Sequence, residues 1–269
     1  MIINIRHETI YSYDKLVPRL VQLLRLYPTK CKNQKILNWE ITSNVGDIES
    51  SYEDSLGHRI LNIYNDNFQG QQIIKAKGKV ETKDLNGTIQ GITEKVNPLC
   101  FLRLTDLTRP GKKIIELSKT IKKKNKDEIK FCHDLNLIVS EIINYKSGTT
   151  NNNTSAETAL KKGKGVCQDF AHILISLARI FNMPARYING YLIEDNNSND
   201  YFTHAWTEIF IKDLGWVGFD PSHRRCVDDK YVRLSCGYDF IDASPIKGVR
   251  LNYLGSEELS YNLNLTITQ

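Results

Sequence analysis

Lys161-Lys-Gly-Lys-Gly-Val-Cys167-Gln-Asp-Phe-Ala-His172-Ile-Leu-Ile-Ser-Leu-Ala-Arg-Ile-Phe-Asn182 carries the reading of the fold. From Gln168 to Asn182 the stretch is apolar nearly all round, which marks a helix buried on every side rather than a surface helix, and Met183-Pro184 closes it. Gly163 and Gly165 allow a tight approach to the helix start and leave main-chain N–H groups free to face a ligand. Cys167 therefore stands in the first turn, where the positive end of the helix dipole favours a thiolate over a thiol.

Downstream of this helix the pattern changes to strands, over Ala185 to Ile193, Phe202 to Ile211 and Trp216 to Phe219, with turn-rich residues 194–200 and 213–215 between them. His204 begins one strand and Asp220 ends the next. If the two are antiparallel neighbours, the start of the first lies beside the end of the second, and His204 and Asp220 meet across the sheet. In acyl-transfer chemistry an imidazole takes the thiol proton and returns one to the leaving group, while a carboxylate fixes its tautomer. Cys167, His204 and Asp220 are the candidate catalytic residues.

Upstream, residues 112–124 and 127–144 carry apolar side chains at helical spacing, and a loop rich in Asn, Thr and Ser runs from Gly148 to Ser155. Residues 1–97 instead alternate as strands, over Ile3 to Thr9, Leu20 to Tyr27, Ile36 to Thr42, Arg59 to Tyr64 and Ile73 to Thr82. Turn residues separate them at Pro18, Pro28, Gly46, 54–57 and 65–70. The expected fold is α+β: a β-sandwich-like domain over 1–97, then a catalytic domain over 98–269 with a helical part and an antiparallel sheet. The closing strand, Tyr261 to Thr268, suits either sheet.

Composition bounds the function. In 269 residues, 41% hydrophobic and 25% charged, a substantial core forms, and collagen-like, coiled-coil and largely disordered chains are excluded. A net charge of +5 is modest, and the lysines cluster only at Lys122, Lys123 and Lys124 and at Lys161, Lys162 and Lys164, so no nucleic-acid footprint is expected. Charge arrives at Arg6, and no run reaches the length of a membrane span, which points to a cytoplasmic protein with no membrane partner. Six cysteines without CxxC spacing read as reduced thiols. Burial is expected for Cys100 and Cys132, while Cys31, Cys226 and Cys236 are expected to lack an activating partner. His223, Cys226 and Cys236 have no metal-ligand spacing, and no cofactor is called for.

Gly163 to His172, Met183-Pro-Ala-Arg-Tyr-Ile-Asn-Gly-Tyr191, Thr203-His-Ala-Trp-Thr-Glu208 and Gly215-Trp-Val-Gly-Phe-Asp-Pro-Ser222 occur in an order that resembles the core of bacterial transglutaminase-like proteins. Members of that family are often described as candidate cysteine proteases. Arg6-His-Glu-Thr-Ile-Tyr-Ser-Tyr13 and Asp54-Ser-Leu-Gly57 are similar to the family's β-rich N-terminal region. The resemblance implies a papain-like core with a Cys-His-Asp triad at Cys167, His204 and Asp220, acting on a peptide or protein amide. Hydrolysis is the preferred outcome, transfer to an amine the alternative, and a non-catalytic binding module the third reading. Gln168 stands where many relatives have arginine, and Gly237-Tyr-Asp-Phe240 replaces a Gly-Arg-Asp-Tyr-like run.

Further residues carry weaker expectations. Trp206 shares a strand face with His204 and either walls a cleft or fills the core. Tyr145 is a candidate second oxyanion donor, and Gln168 a candidate cleft residue. Asp169 and His172 are expected to hydrogen-bond structurally, and Arg186 to pair with Asp169 or Glu208. Nothing in the pattern sets an oligomeric state.

Overall fold

The computed structural model describes residues 1–122, 127–194 and 203–268. Lys123 and Lys124 of the first lysine cluster and residues 195–202 of the turn and strand read downstream of Ile193 lie outside the described residues. Strands β1 (Ile2–Leu24), β2 (Gln34–Ser43), β3 (Asp47–Glu53) and β4 (Arg59–Thr82) open the chain, followed by the short β5 (Thr88–Ile89). Next come α1 (Lys112–Thr120), α2 (Glu128–Ile142), β6 (Asn144–Tyr145), α3 (Ala156–Lys162), β7 (Lys164–Gly165) and α4 (Cys167–Ile180). The remainder is β8 (Ala185–Leu192), β9 (Thr203–Ile211), β10 (Gly215–Asp220), β11 (Arg225–Cys226), β12 (Tyr231–Gly237), α5 (Phe240–Ala243), β13 (Ile246–Leu251) and β14 (Glu257–Thr268).

The N-terminal unit is one six-stranded sheet in the order β13-β1-β4-β2, with β14 also on β1 and β3 also on β4. β1 and β4 pair almost end to end, so the turns expected at Pro18 and at residues 65–70 are absent. The ladder absorbs them instead: the register slips between Tyr13 and Val17, and Pro18, which has no N–H to donate, sits at this irregularity. Tyr11, Tyr13, Leu20 and Leu24 of β1, Ile41 of β2, and Leu61, Ile63, Ile74 and Ala76 of β4 share one buried cluster, drawn from both halves of the long strands. In place of the expected sandwich, the unit is a single continuous sheet, because β1 and β4 pair along nearly their whole lengths.

Its last two strands come from the far end of the chain. β14 runs antiparallel to residues 2–13 of β1, and β13 to residues 19–24. The choice left open for the closing strand thus resolves toward the first sheet, which is built from both ends of the chain.

The second unit wraps α4. Ala171, Ile173, Leu174, Ile175, Leu177 and Ala178 are fully buried, packed against Ile114 of α1, Phe131, Leu135 and Val139 of α2, Ala159 of α3, and Ile209 and Phe219 of the second sheet. This surround buries the helix on every side, so its polar residues Asp169, His172, Ser176 and Arg179 face protein too. The second sheet runs β11-β10-β9-β8-β12, with β5 added at β10. The two units meet where Ile3, Ile5, Val80, Leu263 and Leu265 pack on Tyr191, Ile193, Val232 and Leu234, an apolar seam that fixes the first sheet over the second. Among the described residues no helix is long and apolar enough to cross a membrane.

Glu208 is the main electrostatic commitment of the second sheet. It is fully buried on β9, opposite Arg186 on β8. Arg186 Nε donates to Glu208 Oε2 at 2.6 Å, and Arg233 Nε of β12 donates to Oε1 at 2.8 Å. Arg186 also pairs with Glu94 and lies 3.8 Å over the Trp216 ring. Of the two partners considered for Arg186, Glu208 is the one it takes. Removing this carboxylate strands cationic charge in the interior, so Glu208→Ala should lower the unfolding free energy by about 3–5 kcal/mol. Urea denaturation of the two proteins measures it; a loss below about 1 kcal/mol would show that Glu94 alone compensates the arginines.

Candidate active site

The loop that leads to Cys167 is shaped before the helix begins. Gly163 ends α3 in the left-handed conformation (φ 62°), its N–H donating to Leu160 O at 3.2 Å. β6 and β7 then pair in parallel, which sets Tyr145 beside Gly165. Asp169 Oδ2 turns back to accept the Val166 N–H at 2.8 Å and the Thr150 hydroxyl at 2.6 Å. A side chain at Gly165 would collide with Asp169, its Cβ falling 2.6 Å from that of the aspartate. Asp169 is thus the structural hydrogen-bonding residue expected, tying the 148–155 loop to the helix start and setting Cys167 as the first residue of α4.

The β9–β10 pairing brings the partners together. Phe219 pairs with Thr207, so the end of β10 lies beside the start of β9. His204 Nε2 donates to Asp220 Oδ2 at 2.7 Å, and Cys167 lies close enough to the imidazole to act on its charge. Burial pushes the imidazolium down, but the charge and hydrogen bond of Asp220 and the nearby Cys167 outweigh it, and the His204 pKa is raised to about 10.

Asp220 is fully buried and fully engaged. Oδ2 accepts from His204, from His223 Nδ1 at 2.8 Å and from the Tyr231 hydroxyl at 2.8 Å. Oδ1 accepts from the Ser222 N–H at 3.0 Å and the Ser222 hydroxyl at 2.6 Å. These contacts hold the carboxyl well below the usual carboxylate range against the cost of burial. The same spacing, with one atom each of His204, Asp220 and His223 within 4.8 Å of one another, is that of a small metal site. Here direct hydrogen bonds between the three groups use those atoms.

A cleft of about 970 Å³ opens over Cys167. The core lines it with Gln168, Asn189, His204 and His223. The first sheet supplies the opposite wall, from Thr9 and Tyr11 of β1, Arg250 of β13, and Leu259 and Tyr261 of β14. Tyr145 lies in the cleft, more than half exposed, and its hydroxyl is pushed up to about 12 by partial burial and by charge at Cys167, Glu194 and Asp220; it remains a donor at neutral pH. Gln168 is buried but reaches the cleft. Trp206 does not: it is 1% exposed, stacked behind His204 at 6.2 Å and edge-on to Tyr231 at 5.3 Å, so its role is to back the histidine. His172 is buried, with Nε2 accepting from the Phe240 N–H at 3.1 Å, a structural role.

Sequence reasoning missed His223 and Tyr231. A histidine three residues after an Asp-Pro turn was a usable signal for the first, because such a turn folds i+3 back on the aspartate. Tyr231 comes from a non-adjacent strand and had none. Two cysteine expectations are overturned. Cys100 is exposed, because the short 3₁₀ helix that carries it buries Phe101 instead. Cys236 is buried and has activating partners: burial pushes its thiol up, but Arg186, Arg233 and His58 bring it down to about 7.

The His204 shift links the site to stability. A group whose folded pKa is raised stabilises fully below its unfolded value and loses that contribution as pH rises through the folded one. For His204 the window runs from 6.5 to about 10. Unfolding free energy should fall across this range, and fall less in His204→Gln, when denaturant midpoints are followed against pH. Parallel curves for the two proteins would contradict the ion pair.

Comparison with known proteins agrees with this architecture. Residues 115–221 match the transglutaminase-like superfamily, and residues 3–81 match the bacterial transglutaminase-like N-terminal region. An uncharacterized protein of Mycobacterium leprae is 32% identical over 112 residues, 40% of this chain and 39% of that protein. One from Mycobacterium tuberculosis is 32% identical over 115 residues, 39% of this chain and 37% of its own. The chain thus spans well under half the length of these relatives. The crystal structure of a candidate cysteine protease from Cytophaga hutchinsonii superposes with a TM-score of 0.79 at 21% identity, covering 99% of this chain and 90% of that one, which shows a shared fold. With both regions matched in order, the chain carries a transglutaminase-like core preceded by the bacterial transglutaminase-like N-terminal region.

Proposed function

We propose that the protein is a cysteine-nucleophile acyl-transfer enzyme that cleaves amide bonds, a peptidase or amidase. The observation that carries this reading is His204, with Nε2 on Asp220 at 2.7 Å and Cys167, at the head of α4, close enough to act on its charge. His204 takes the Cys167 proton, and the sulfur attacks the carbonyl carbon of the substrate amide. The resulting oxyanion lies near the first-turn N–H groups of α4 and within the cleft that Tyr145 lines. His204 then gives its proton to the departing amine, leaving a thioester. Water, deprotonated by His204, attacks the thioester, releases the acid and restores the thiol.

A free amine in place of that water yields a new amide, the transglutaminase outcome, and the transglutaminase-like core supports it as the second reading. The wide cleft and the exposed Tyr145 at its side favour water. The six free cysteines support a reducing, cytoplasmic setting.

Cys167→Ala should reduce turnover of a peptide or glutamine-donor substrate by about 10³-fold or more with thermal stability retained. Retention of most activity would remove Cys167 as nucleophile. Adding a primary amine to wild-type reactions separates hydrolysis from transfer by product mass. A second expectation concerns iodoacetamide near neutral pH, which should label Cys167 first: Cys236, though acidified, is 1% exposed, and the exposed Cys100 lies outside the cleft. Uniform labelling in short mass-spectrometric time courses would contradict an activated sulfur. EDTA should leave turnover unchanged, whereas loss restored by zinc would overturn the scheme.

A further inference from the structure

Asp220 serves two histidines. His223 Nδ1 lies 2.8 Å from Asp220 Oδ2, and His223 Nε2 lies 2.6 Å from Glu194 Oε1. A neutral imidazole has one N–H and one lone pair, and a lone pair facing a carboxylate oxygen at this distance is repulsive. With a carboxylate at each nitrogen, His223 is held as the doubly protonated imidazolium. It lines the same cleft as Cys167, with its ring centre 5.1 Å from that of His204. Burial pushes its pKa down, and the contacts with Asp220 and Glu194 more than reverse this, so the shift has the sign the geometry requires.

We propose that His223, clamped between Asp220 and Glu194, is a positioning residue that sets how tightly His204 holds its proton. This rests on the reading of Cys167 and His204 as nucleophile and base. Two effects act in one direction. The His223 N–H takes part of the Oδ2 charge that would otherwise belong wholly to His204, and the imidazolium repels the positive charge on His204. His204 therefore parts with its proton more readily than it would beside an unshared aspartate, which is what delivery to a leaving amine needs.

The surrounding groups leave this role to His223. β10 presents Asp220, β9 presents His204, and the residue after β8 and Ile193 presents Glu194. Tyr231 of β12 donates a neutral O–H to Asp220, and Arg225 of β11 reaches the carboxylate through that hydroxyl, with Nε on the Tyr231 oxygen at 3.0 Å. Cys167 of α4 and Tyr145 of β6 complete the set facing the pair. Among the described residues, His223 is the cation in direct contact with Asp220 besides His204 itself.

The test reads proton affinity directly. Imidazole resonances of His204 and His223 are titrated by NMR in EDTA, in the Cys167→Ala background, with and without His223→Gln or Glu194→Gln. This background removes the charge of the sulfur and needs no turnover, so the result stands apart from the Cys167 activity test. His223→Gln should raise the His204 midpoint by about one pH unit. Glu194→Gln, which keeps the geometry but removes the charge that holds His223 protonated, should lower the His223 midpoint and raise that of His204 by less. In the Cys167 enzyme, the alkaline limb of the pH–rate profile should move upward with the same variants. A His204 midpoint unmoved in both variants, even with turnover reduced, would overturn the proposal, as would a His223 that titrates near 6.5 with Glu194 intact. Should His223→Gln not fold, Glu194→Gln and the His223 titration decide the matter alone.

Discussion

A carboxylate taken wholly out of water costs several kcal/mol unless its oxygens are satisfied and its charge is matched, and Asp220 meets both conditions with partners drawn from every direction. Its own turn supplies Ser222 and His223, the neighbouring strand β9 supplies His204, and Tyr231 arrives from β12 across the sheet. Each contact constrains a different element, so the carboxylate fixes where β10 ends, how the turn after Pro221 folds and which way the imidazole faces. Trp206 closes the arrangement from behind, stacked on His204 and edge-on to Tyr231. The histidine has one direction left, toward α4 and Cys167.

The cysteine meets it there because α4 is immobilised by its surroundings. A helix buried on all sides is packed by α1, α2, α3 and the second sheet, and the Asp169 cap on Val166 fixes its first turn. The sheet strands are held in turn by Glu208 with Arg186 and Arg233, which tie β8, β9 and β12 together through one buried carboxylate. Positioning within tenths of an ångström, which acyl transfer needs, thus follows from packing around the helix and from two buried anions in the sheet.

How much of this was legible in the sequence follows from where each signal lies. Cys167, His204 and Asp220 could be read because local patterns placed each at an element's end, and antiparallel pairing of β9 and β10 did the rest. α1 and α2 were legible from apolar spacing. The single bent sheet was not, since Pro18 and the polar run at 65–70 carry turn chemistry that long-range pairing of β1 with β4 overrides. Nor was the return of β13 and β14 to the first sheet fixed by alternation alone, which suits any half-buried strand. Glu194, Tyr231 and His58 contribute through contacts between segments far apart in the chain, for which one sequence holds no periodic trace.

A second cysteine shows why chemistry needs access as well as partners. The Cys236 backbone N–H lies 2.9 Å from His58 Nε2, and His58 Nδ1 lies 2.9 Å from Asp54 Oδ2, so a Cys, a His and an Asp are assembled again. Arg186 and Arg233 acidify this thiol against its burial. Yet Cys236 and His58 are almost wholly buried, and none of the three lines the cleft. The cluster joins β12 of the second sheet to the segment entering β4 of the first, and there the Cys236 backbone, the His58 imidazole and the Asp54 carboxylate act as an inter-unit tie. At Cys167 similar groups face the cleft roofed by β1, β13 and β14. The long first sheet is therefore part of what sets the two sulfurs apart: it leaves open space above Cys167 and none above Cys236.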